Sequence, residues 1–150
     1  MILQHVRQVC IRGQVRIERM KVPPSHPLYD IFAHDTRFAP QAYEFVFNAL
    51  TFAHESLGLG SQRKGEERHV TGQELCEAIR VYAQEEFGYM AKCVLNNWGV
   101  RSTGDFGEIV FNLIRAGKMR KTARDRREDF DDVFNFDKDL QQRFQINLPK

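Results

Sequence analysis

Residues 96–122 read N-N-W-G-V-R-S-T-G-D-F-G-E-I-V-F-N-L-I-R-A-G-K-M-R-K-T, and this stretch decides the fold class. Gly99 follows an apolar helical pattern at the place where a left-handed residue closes a helix, a conformation glycine adopts without a Cβ penalty. Ser102 or Thr103 then offers the hydroxyl that caps the next helix. Phe106, Ile109, Val110, Leu113 and Ile114 recur at i, i+3, i+4, i+7 and i+8, which is one face of an α-helix, and Gly117 stops it. A helix over 89–98, a glycine turn and a second amphipathic helix over 104–116 have the order of a helix-turn-helix.

Toward the amino terminus the same helical period continues. Met90, Cys93, Val94 and Trp98 face inward on the first helix of the pair, and Gly88 separates it from a longer one carrying Leu75, Ile79, Tyr82 and Phe87. That longer helix opens on Thr71-Gly72-Gln73-Glu74, a capping box in which hydroxyl and carboxylate each serve a free backbone N–H. The polar run Ser61 to Arg68 is a loop. Before it, Pro40 suits a first helical turn, where its missing N–H costs nothing. Tyr43, Val46, Phe47, Leu50, Ala53 and Leu57 then form one apolar stripe, with Phe45 and Phe52 widening it, until Gly58-Leu59-Gly60. The pattern predicts a mainly α, single-domain bundle of four or five helices over residues 26–150, with a core rich in phenylalanine, of which the chain has 12.

Beyond Gly117 the chain is polarised. Lys118 to Arg127 holds six basic residues and one acidic, and Glu128 to Asp139 holds six acidic and one basic. Phe134 and Phe136 alternate with Asn135 and Asp137, the period of a short strand, which leaves room for one β-hairpin within 118–136. Asp137 is placed to cap a last helix burying Leu140 and Phe144.

At the other end, Val6 to Arg19 is rich in Val and Ile, with Val15 and Ile17 alternating against polar neighbours as in a half-buried strand. Lys-Val-Pro-Pro-Ser-His-Pro follows at 21–27 and favours extended backbone. Residues 1–25 read as an appendage, with Met20 as an alternative start of translation. Arg7, Arg12, Arg16, Arg19 and Lys21 stand there against Glu18, so the net charge of +2 for all 150 residues leaves residues 26–150 mildly acidic. A charge so small argues for neither a nucleic acid nor a membrane by itself. A chain of this length buries roughly 70% of its unfolded surface without a staple. Cys10, Cys76 and Cys93 are odd in number and form no C-x-x-C, which suits a reducing cytoplasm, with Cys76 and Cys93 on apolar faces as small hydrophobes. Apolar runs are too short for a membrane span, and arginines interrupt residues 1–20 where a signal peptide would be unbroken.

Four stretches taken together, A-Y-E-F-V-F-N-A-L (42–50), H-V-T-G-Q-E-L (69–75), W-G-V-R-S-T-G-D-F-G-E-I-V-F-N-L-I (98–114) and R-E-D-F (127–130), resemble a family of small uncharacterised bacterial proteins found in planctomycetes, verrucomicrobia and related phyla. The resemblance covers about residues 30–136. It implies a bacterial cytoplasmic protein and carries no activity, ligand or catalytic residue.

No catalytic constellation stands out. There is no G-x-S-x-G, and Ser61 lacks the strand and helix that would make it a nucleophile elbow. His5, His26, His34, His54 and His69 share no metal-ligand spacing, with His34, Asp35 and Asp30 the nearest approach to a cluster. Neither metal nor cofactor is expected. Gly72, Gly104 and Gly107, at or near helix starts, point to close packing; an open helix amino terminus for an anion is the alternative, though Asp105 already occupies that field in the helix over 104–116.

What remains is binding. Trp98, Arg101 and Tyr89 group aromatic and basic side chains at the turn, as interface anchors do, although a Trp beside a helix-ending glycine also suits a core lid. The first reading is a non-enzymatic module that meets another macromolecule through Trp98 to Thr103 and the charged segment Lys118 to Asp139. The second is a winged helix-turn-helix in which Asn112 and Arg115 face DNA and Lys118, Arg120, Lys121, Arg124, Arg126 and Arg127 hold phosphates. Asp105 and Glu108 near the amino end of the recognition helix oppose it. A small enzyme without a recognisable motif is the third.

Overall fold

The computed structural model describes residues 24–59 and 69–140, and the backbone alone at Cys10–Ile11, Gln14–Val15 and residues 141–142. The chain is mainly helical. The helices are α1 (Tyr29–His34), α2 (Pro40–Glu55), α3 (Gly72–Phe87), α4 (Ala91–Asn97) and α5 (Thr103–Arg115). Tighter turns occupy Gly88–Met90 and Arg127–Phe130, and a wide helical turn runs through Phe136–Gln142. Cys10–Ile11 pairs antiparallel with Gln14–Val15. The rest of the expected strand between Val6 and Arg19, the 61–68 loop and Phe144 lie outside the described residues.

The helices start and stop where local chemistry dictates. Pro40 sits in the first turn of α2. At α3 the Thr71 hydroxyl accepts the Glu74 N–H at 3.2 Å while the Glu74 carboxylate accepts the Thr71 N–H at 2.9 Å. At α5, Ser102 is the N-cap, and Asp105 accepts the N–H groups of both Arg101 (2.9 Å) and Ser102 (3.2 Å). α4 and α5 end alike. After α4, the Gly99 N–H reaches the Asn96 carbonyl and the Val100 N–H reaches Leu95; after α5, Gly117 reaches Ile114 and Lys118 reaches Leu113. Both glycines have positive φ, 88° and 72°, so each closes a Schellman motif.

The core joins α2, α3 and α5, with Tyr43, Val46, Ile79, Leu95, Phe106, Ile109 and Leu113 wholly buried. Phe45 is its hub, with ring centroids of Tyr82 at 5.2 Å, Trp98 at 5.7 Å, Phe87 at 5.8 Å and Phe106 at 6.4 Å. Phe106 continues the chain of rings to Phe136 at 6.1 Å.

Several expectations fail locally. Leu57 lies beyond the end of α2 and is 41% exposed, because the helix stops at Glu55. Met90 is 53% exposed and Cys93 is exposed, because Gly88 (φ 53°) redirects the chain and turns Ala91 and Leu95 inward instead. No β-hairpin forms in 118–136. Asp125 accepts the Thr122 N–H at 2.8 Å and Asp129 the Arg126 N–H at 2.9 Å, so side chains satisfy the backbone locally and fold it into turns. Phe134 and Phe136, expected on one face of a short strand, do stack with centroids 5.6 Å apart, but the backbone that carries them is not a strand. Asn135, not Asp137, starts the last helical turn: its side-chain oxygen accepts the N–H groups of Asp137 (3.0 Å) and Lys138 (3.1 Å).

Candidate functional site

Gly72, Gly104 and Gly107 belong to two helices and serve one purpose. A Cβ on Gly72 would lie 2.8 Å from the Phe130 ring, and one on Gly107 would lie 2.9 Å from the Phe130 Cβ and 3.1 Å from the Arg127 side chain. A Cβ on Gly104 would meet Asp131 at 3.1 Å and Arg127 at 3.3 Å. The missing side chains make a bed for the turn Arg127–Phe130, whose Phe130 is 3% exposed. Close packing is the reason for these glycines, and the partner is a loop turn.

Arg127 is drawn into the same bed. It donates to Glu108 at 2.7 Å and to Asp131 at 2.6 Å. Glu108 also receives Arg37 at 3.3 Å, and Arg37 binds Asp35 at 2.7 Å. The charges alternate from Asp35 through Arg37, Glu108 and Arg127 to Asp131. Asn112 enters from below: only 5% exposed, it donates to Asp35 (2.9 Å) and to the Tyr43 hydroxyl (3.1 Å), and its oxygen accepts from Arg115. The hydrogen bond from Arg37 holds the Asp35 carboxyl far below its usual range, and that from Arg127 lowers Glu108. Burial raises the Tyr43 hydroxyl and pushes the Cys76 thiol up to about 12. Asp35 and Glu108 are thus favoured as carboxylates, and Tyr43 and Cys76 in their neutral forms.

Placed residue by residue, the candidate set divides. Asn112 is buried, so it does not face outward as the helical period implied. Trp98 is half-buried against Phe45 and Phe87, the arrangement of a core lid. Arg127 is ion-paired within the fold. Arg101 and Arg115 are exposed, and so are Lys118, Arg120, Lys121, Arg124 and Arg126. The Lys121 ammonium lies 5.9 Å from the centre of the Phe111 ring. Asp125, the single acid in this basic run, is bound to His69 at 2.7 Å, which fastens the loop beside the start of α3. The five cations from Lys118 to Arg126 make no salt bridge within the described residues.

Between the loop, α2 and α5 lies a groove of about 230 Å³, which the sequence did not reveal. Phe47, Leu50, Phe111, Ile114 and Met119 form its apolar walls, and Lys118, Arg120, His54 and His69 also line it. Its lining runs from Phe47 to Phe130, 83 positions apart, so no linear pattern could have displayed it. Its α2 wall, Phe47 and Leu50, belongs to the apolar stripe that the helical period displays.

Among the described residues no three His, Cys, Asp or Glu side chains converge as metal ligands. His34, the centre of the nearest approach to a cluster, binds the Asp30 carbonyl at 2.7 Å, while Asp35 is engaged by Arg37 and Asn112. No described helix is long and apolar enough to cross a membrane. No protein-family model, curated protein or solved structure matches the chain.

Proposed function

We propose that the protein is a non-enzymatic interaction module of the bacterial cytoplasm whose contact surface is the loop Lys118–Arg126. The observation that carries this reading is the division among the cations. Arg37 and Arg127 are consumed by the internal charge lattice, whereas Lys118, Arg120, Lys121, Arg124 and Arg126 project from a loop held in place by Asp125 and His69. A cluster of like charges on one fixed loop repels itself and gains from an acidic partner.

A winged helix-turn-helix is supported less. α5 would have to enter the major groove, yet Asp35 and Arg37 lie along one of its sides and residues 127–131 along another, with Phe106, Ile109 and Leu113 in the core. The hairpin that would form the wing is replaced by turns.

Reversal of Lys118, Arg120, Lys121 and Arg124 to glutamate tests the proposal through photo-crosslinking from Ala123 in living bacteria. The expected result is discrete protein adducts in the wild type that vanish in the reversed variant while thermal unfolding is unchanged. Adducts that persist unaltered after reversal refute the loop as the contact surface. Adducts sensitive to nuclease transfer the role to the nucleic-acid reading.

A further inference from the structure

The groove beneath the basic loop adds a second requirement to whatever the loop meets. Its walls are apolar and half-buried, and they pack on the core through Phe47, Leu50, Phe111, Ile114 and Met119. Its volume is about 230 Å³. Water against the apolar walls, away from the polar rim of His54, His69, Lys118 and Arg120, has few partners to hold it, so an apolar group entering there releases it favourably. At the edge stand Lys118 and Arg120, both exposed. The nearby carboxylate, Asp125, is already bound by His69 and the Thr122 N–H and does not neutralise them.

We propose that this groove receives one large apolar side chain from an acidic segment of a partner protein, whose flanking carboxylates meet Lys118 and Arg120. The inference rests on the loop being the contact surface and names the chemistry of what it contacts. Charge complementarity selects the acidic flanks, and the groove selects the anchor between them. A single-stranded nucleic acid would satisfy the cations but would need an open aromatic face on which to stack its bases. Of the phenylalanines that line the groove, Phe111 already has the Lys121 ammonium over its ring and Phe130 is buried, so Phe47 alone makes no platform for successive bases.

The test uses the full chain labelled for NMR and three synthetic probes: a peptide with a single phenylalanine between two runs of glutamate, the same peptide with alanine at that position, and a single-stranded oligonucleotide of equal charge. The phenylalanine peptide is expected to shift the Leu50, Ile114 and Met119 methyl signals and to bind about 10- to 100-fold more tightly than the alanine peptide, the ratio implied by burying one aromatic side chain. K118E/R120E is expected to abolish binding of both peptides. Met119→Glu, which sets a carboxylate in the groove wall, is expected to erase the preference for phenylalanine; a thermal melt of each variant checks that it is folded. Equal affinity for the two peptides, lost together in K118E/R120E, overturns the groove inference and leaves the basic loop as the contact surface. Binding of the oligonucleotide in preference to either peptide, or no methyl shift with any probe, also overturns it, and the crosslinking experiment then judges the loop separately.

Discussion

At the scale of single residues the glycines separate two kinds of necessity. Gly117 needs its conformation: φ is 72°, with nothing within 4 Å of where a Cβ would stand. Gly107 needs its emptiness, since Phe130 and Arg127 occupy the space a methyl would take. Alanine is favoured over glycine inside a helix by roughly 1 kcal/mol. Gly107→Ala should nevertheless destabilise by about 1–3 kcal/mol through overpacking. Gly117→Ala should lose about 1–2 kcal/mol through left-handed strain alone. Pairing each with Phe130→Ala in urea melts separates them: loss of the Phe130 ring should relieve part of the Gly107→Ala penalty and leave that of Gly117→Ala untouched. Additivity in both cycles would contradict the packing explanation. The sequence flagged Gly107 as costly in a helix, which is a local fact. It held no pointer to Phe130, because only the folded chain brings that ring across. Asn112 teaches the same lesson: it is buried against Asp35, 77 positions away, whereas the helical period places it on the outward face.

Among the elements, α5 was the most legible, because cap, period and stop signal agree within fifteen residues. Its core face is buried as the spacing implies, and Leu113→Ala should cost about 2–5 kcal/mol. The opposite side was misread as solvent-facing, since Glu108 links Arg37 to Arg127. These links are partly exposed, so Glu108→Gln should cost no more than about 1 kcal/mol at neutral pH. Its signature lies in the pH dependence. Asp35 and Glu108 are both lowered from ordinary values of 3.8 and 4.5. The stability they contribute is therefore complete above about pH 4.5 and is lost as the pH falls through their folded values. Urea midpoints from pH 6 to pH 2 should show this acid limb in the wild type and a shallower one in Glu108→Gln. Identical limbs would mean that the lattice does not couple to folding. The segment after α5 was the least legible element, because alternation over four residues is weak evidence for a strand when aspartates and asparagines can serve the backbone themselves.

Over the whole molecule, four stretches far apart in sequence come together in space. The stretch 42–50 lies in α2, 69–75 opens α3, 98–114 spans the glycine turn and α5, and 127–130 is the turn seated on the glycines. The last three meet around Phe130, and α2 packs on α3 and α5. The exposed loop between Gly117 and Arg127 lies outside all four. That loop joins two bodies that hold each other by other means: helices on one side and, on the other, a short carboxy-terminal piece whose Phe130, Phe136 and Leu140 are almost wholly buried. The covalent link should then be dispensable once folding is complete. A site-specific protease sequence inserted after Ala123 and cut in the folded protein should yield two fragments that travel as one species in gel filtration and part only in denaturant. Separation in native buffer would show that the glycine bed alone cannot retain its occupant. If the fragments stay together, the protein is a natural two-piece reporter: expressed apart, the halves should find each other, and the loop between them is the place where the chain accepts an insertion.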